Sequence, residues 1–156
     1  MRLPALALCL ALAACGSEPA PPSPEQTAAF AQPVDAELVV ASAPNAMRYA
    51  TARIEAPAGA TVRIVMDNSG TSSPTMLHNV VVLRTAGDVQ RVGRAAAADQ
   101  DHLPDDPAIL TATPLAGPGQ RTAVVFTMPA AGEYPFICTY PGHFQFMQGT
   151  LVSTPA

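Results

Sequence analysis

The 156-residue chain has no lysine and no tryptophan, only three histidines, and a single cysteine beyond residue 15. Each shortage removes a class of function. The eight basic residues are all arginine and scattered, and with the acidic residues they give a net charge of -4. No basic face remains to neutralise phosphates, so no nucleic-acid partner is expected. Three histidines are too few for an enzyme built on several metal centres. With Cys9 in the leader and Cys15 in a lipobox-like sequence where it would be acylated, Cys138 is left alone, without an intramolecular disulfide partner. The one long apolar run lies in the first fourteen residues and is too short for a membrane span.

That run has a purpose of its own. Arg2, a stretch of leucine and alanine, and small residues before Cys15 make 1–14 a secretory signal. Leu12-Ala13-Ala14-Cys15 resembles a bacterial lipobox, which implies acylation at Cys15 and a lipid anchor in a membrane of the cell envelope. The alternative is an ordinary signal that leaves Cys15 free. Cys9 falls within the leader. Residues 15–33 carry Pro19, Pro21, Pro22, Pro24 and Pro33 and are expected to be an extended tether. Fully extended it would reach roughly 50 Å.

From 34 to 156 the pattern is that of one all-β domain, in which short β-branched runs are separated by turn residues. Expected strands are 36–41, 48–55, 61–67, 78–84, 109–111, 121–127, 133–138 and 149–153. About eight strands with one inward face each fit a Greek-key β-sandwich. The exception is 88–101, whose helix formers and missing alternation predict a short helix in a long crossover. The acidic segment 99–106 that follows, with His102, is expected to be a solvated loop.

Chemistry concentrates in Cys138-Thr139-Tyr140-Pro141-Gly142-His143-Phe144-Gln145-Phe146-Met147. Ten residues hold a thiol, an imidazole and a thioether. Taken singly, each has a plain structural explanation: an inert buried cysteine, a hydrogen-bonded histidine, a core methionine. Together they are soft to borderline donors that suit copper. His78, at the head of the apolar run Val80-Val81-Val82-Leu83, supplies a second imidazole. Two histidines, one cysteine and a weak axial methionine are the blue-copper donor set. Four protein ligands leave no open position for substrate, so single-electron transfer rather than catalysis is expected.

His78-Asn79 and Cys138-x4-His143-x3-Met147 match the two copper-binding motifs of the cupredoxins, and from about residue 34 onward the chain resembles that family. The spacing resembles the azurin and auracyanin group rather than plastocyanins, whose cysteine-to-histidine spacing is shorter. The resemblance implies one type 1 copper held by His78, Cys138 and His143, with Met147 as a long axial contact. It also implies a supporting role for Asn79, whose N–H would reach the Cys138 sulfur and whose side chain would tie the ligand loops together, and for the N–H of Tyr140. Leu77 stands where azurins have a glycine whose carbonyl makes a distant fifth contact. Electrons are expected to enter at His143 through an apolar rim of Leu77, Pro141 and Phe144. Redox proteins such as cytochromes or membrane electron-transfer complexes are the expected partners of a monomer. A periplasmic copper chaperone or storage protein is the alternative.

Overall fold

The computed structural model describes residues 21–156. Cys9, Cys15 and the leader lie outside the described residues. Eight strands form two sheets: β1 (Ala36–Ala41), β2 (Arg53–Pro57), β3 (Thr61–Asp67), β4 (Val81–Leu83), β5 (Ile109–Ala112), β6 (Arg121–Thr127), β7 (Gly132–Ile137) and β8 (Gln148–Thr154). One sheet has the order β1-β3-β6 and the other β2-β8-β7-β4-β5. The pairs β1/β3 and β2/β8 are parallel, and the remaining neighbours are antiparallel. The sandwich expected from the alternation is therefore present, because each sheet turns one apolar face inward. Val40, Val62, Ile64 and Met66 from one sheet meet Val82, Phe136 and Leu151 from the other in a single buried cluster.

Two expected strands are shorter than their apolar runs. The segment 48–52 makes only an isolated bridge between Tyr49 and Ser42. His78 bridges Ala116 outside any strand, and the regular pairing of β4 begins at Val81. The crossover helix is α2 (Val89–Ala95), flanked by 3-10 turns at Ala86–Asp88 and Ala96–Ala98. It buries Val89 and Val92 against the outer face of the five-stranded sheet, in a second cluster with Val81, Leu83, Ile137 and Phe144.

An additional helix, α1 (Pro24–Ala31), lies in the stretch expected to be extended tether. Its start is well encoded locally. Ser23 caps the Gln26 N–H, Pro24 opens the first turn and Glu25 adds favourable charge there. The helix packs on β6, where the buried Gln26 side chain donates to the Ala123 carbonyl at 3.1 Å and accepts the Ala123 N–H at 2.7 Å. One glutamine amide thus pairs the free edge of β6 as a neighbouring strand would. Arg63 holds the other end of the helix, donating to the carbonyls of Ala29 and Gln32.

Candidate metal centre

The antiparallel pair β7 and β8 is joined by the ten residues that hold most of the candidate ligands. Cys138 N–H donates to the Met147 carbonyl at 3.1 Å, which closes the loop at its base. Tyr140 to His143 form a tight turn, in which the His143 N–H donates to the Tyr140 carbonyl at 3.0 Å. Pro141 sets the first corner, and Gly142 adopts φ 82° and ψ -12°, a combination that favours glycine and marks a type II turn. A 3-10 turn at His143–Gln145 follows, and the Met147 N–H donates back to the His143 carbonyl at 2.9 Å. These bonds brace the loop through the protein's own backbone.

His78 arrives from the other side of the same end of the sandwich. Its N–H donates to the Ala116 carbonyl at 3.1 Å and its carbonyl accepts the Ala116 N–H at 2.7 Å. The ligand atoms of His78, Cys138 and His143 lie within 4.8 Å of one another, and all three residues are buried. Cys138 Sγ is 3.9 Å from His78 Nδ1 and 3.6 Å from His143 Nδ1. Metal–sulfur and metal–nitrogen bonds of about 2.3 and 2.0 Å, spread 120° apart, would separate sulfur from nitrogen by about 3.7 Å. The spacing therefore fits an ion at the centre of the triangle. Met147 is also fully buried and shares the Cys138 cluster.

The electrostatics suit a cation. Burial, reinforced by the neighbouring His143, lowers the His78 pKa to about 4, and burial lowers that of His143 as well. Both rings are thus held neutral, the form that donates to a metal. Burial pushes the Cys138 thiol up to about 11, although the backbone N–H groups of Asn79 and Tyr140 pull against that shift. A cation is what would turn so reluctant a thiol into a thiolate. His78 Nε2 is a buried nitrogen without a hydrogen-bond partner among the described residues.

Asn79 joins the two ligand segments. Its Oδ1 accepts the Thr139 N–H at 2.8 Å and its Nδ2 donates to Thr139 Oγ1 at 2.8 Å. Leu77 is half-buried, with its carbonyl 4.0 Å from Cys138 Sγ. Pro141 is exposed. Phe144 is not part of an exposed rim: it is 5% exposed, because the 3-10 turn directs it inward against α2. A Cβ at Gly93 would come within 2.3 Å of its ring, so that glycine makes room for the contact. The exposed ring of the loop is Phe146, 63% accessible. His102 does not join the ligand cluster. Its ring packs edge-on against Tyr140, with centroids 5.3 Å apart.

Several supports had no signal in the sequence. The Tyr49 hydroxyl donates to the Asn79 carbonyl from the irregular segment after β1, and Thr113 Oγ1 accepts the Val80 N–H at 3.0 Å. Asn68 Nδ2 reaches the carbonyls of Met76 and Ala116, bracing the approach to His78. Apart from the Asn68–Met76 bond, each joins residues 30 or more apart through an unremarkable polar side chain.

Fold and donor set together define a cupredoxin, and the comparisons agree. The family of copper binding proteins described as the plastocyanin/azurin family matches residues 36–153, and the chain belongs to it. It is a blue-copper electron-transfer protein whose cofactor is copper. Among its relatives, azurin iso-2 of Methylomonas sp. strain J is 36% identical over 115 residues, covering 69% of this chain and 89% of that protein. Auracyanin-A of Chloroflexus aurantiacus is 32% identical over 151 residues, 94% of this chain and 90% of that one. The solved structure of auracyanin A, titled a "blue" copper protein, superposes with a TM-score of 0.69 at 30% identity, over 75% of this chain and 97% of its own.

Proposed function

We propose that this chain is an exported, membrane-tethered carrier that passes single electrons between redox proteins and is not an enzyme. Its leader is 1–14, the lipidated tether begins at Cys15, and the domain extends from 34 to 156. His78, Cys138, His143 and Met147 would hold the ion. The carrying observation is the buried triangle of two Nδ1 atoms and one Sγ, pre-set by hydrogen bonds in the protein itself. Bound copper supplies a one-electron couple. The protein's part is to keep both imidazoles neutral, hold the donors in one arrangement and exclude water, so that little reorganises on transfer. Electrons enter beside His143, with Leu77, Pro141 and Phe146 forming the apolar surround.

No helix among the described residues is long and apolar enough to cross a membrane. The proposed attachment at Cys15 is supported by the lipobox-like Leu12-Ala13-Ala14-Cys15 alone. Copper delivery or storage is the weaker alternative. It calls for exchangeable methionine-rich sites, whereas Met66 and Met128 are packed in the core. The test is voltammetry of the copper-loaded protein. Met147→Leu should raise the reduction potential while the colour persists. An unchanged potential would contradict a ligand role for Met147, and ready loss of copper to a weak chelator would favour the delivery role.

A further inference from the structure

α1 reverses the direction from which the chain approaches the domain. Strand β3 runs from Thr61 at the end distant from the ligands to Asp67 at the copper end. There Asp67 pairs with Arg121, Asn68 N–H donates to the Gln120 carbonyl, and the Asn68 side chain reaches Ala116, the bridge partner of His78. The helix descends along this sheet in the opposite sense. Gln26 bonds to Ala123, opposite Val65; Ala29 and Gln32 bond to Arg63; and Asp35 N–H donates to the Thr61 carbonyl. Pro21 and Pro22 therefore stand at the top, lining a cavity of about 510 Å³ with Pro114, Gly119 and Gln120. Without α1 the chain would enter β1 from the far end.

We propose that docked α1 makes the copper end the face nearest the bilayer, which fits it to a redox partner embedded in the same membrane. The inference rests on the lipid anchor at Cys15. Six residue steps separate Cys15 from Pro21, a contour of at most about 20–22 Å. A leash free from 15 to 33 would allow roughly 50 Å and either orientation. From Thr61 to Asp67 β3 spans six steps, about 20 Å, as long as the remaining leash, so the copper end can lie against the bilayer with the leash slack whereas the distant end reaches it only with the leash fully taut. Three contacts latch the helix: the two-sided Gln26 pairing, the Arg63 clamp, and Phe30 under the Arg121 guanidinium at 5.8 Å. Exposed Phe146 gives the membrane-facing end an apolar contact for a partner whose redox group lies near the bilayer plane.

The test uses the full, lipid-processed, copper-loaded chain on phosphatidylethanolamine and phosphatidylglycerol vesicles carrying a red-emitting headgroup dye. The Cu(II) chromophore should quench the dye, and ascorbate reduction should relieve the quenching. Two variants lengthen the leash: a Gly/Ser insertion of about 20 residues between Cys15 and Pro21, which raises the mean reach by about 15 Å, and Gln26→Ala with Phe30→Ala, which unlatches the helix. At equal surface density each should quench about threefold less. Quenching as strong as the parent's in both variants would overturn the orientation while leaving the anchor intact. A parent chain that fails to co-sediment with vesicles would instead overturn the anchor, and the orientation with it.

Discussion

Asn79→Ala probes the join between the two ligand segments. Asn79 and Thr139 are both buried, and the side chain of the first makes two 2.8 Å hydrogen bonds to the second. Truncation leaves the Thr139 N–H without its acceptor and removes the donor to its hydroxyl. An orphaned buried N–H costs about 1–3 kcal/mol and the second lost bond about 1, so destabilisation of about 2–4 kcal/mol is expected. For a chain of this length that lowers Tm by roughly 4–16 °C. Thermal unfolding by circular dichroism, with and without copper, reads it. Thr139→Val removes only the hydroxyl partner and should cost less. A double-mutant cycle should return a coupling of about 1 kcal/mol between the two side chains. A melting point within 1 °C of the parent for Asn79→Ala, or a coupling of zero, would refute the proposed bridge.

The metal-free protein should lose stability as pH falls from 6.5 to about 4. Unfolded histidine takes up a proton near 6.5, whereas folded His78 resists until about 4, so the unfolded chain binds more protons throughout that window. The loss from His78 is about 3 kcal/mol, levelling off below pH 4, and His143 adds to it with the same sign. Urea titrations at several pH values would detect it; a flat profile would contradict the neutral buried rings. Phe146→Ser should slow electron self-exchange severalfold, read from NMR line broadening in mixtures of the reduced and oxidised protein, without changing the visible spectrum. An unchanged rate would move the contact surface away from the ligand loop.

The ligand loop was legible because its spacing and its chemistry reinforce each other: Pro141-Gly142 demands a turn, and Cys138, His143 and Met147 surround that turn. The strands were legible from alternation, yet 48–52 and 78–80 show its limit, since apolar content there serves burial and bracing rather than ladder pairing. Phe144 and Phe146 illustrate a different limit. Two phenylalanines two residues apart have equal claim to the surface, and only the 3-10 turn decides that Phe144 packs on Gly93 while Phe146 faces solvent. In α1 the proline density pointed to an extended tether, while Ser23-Pro24-Glu25 carried a helix-start signal that competed with it. What holds the helix, Gln26 on Ala123, spans 97 residues of sequence and leaves no local trace.

The most direct measurement is the visible spectrum of the metal-free protein titrated with Cu(II). One equivalent should produce an intense red-region absorption from a copper–thiolate bond, and Cys138→Ser should abolish it. A colourless adduct, or a colour that survives the loss of Cys138, would contradict a blue-copper centre built on His78, Cys138 and His143.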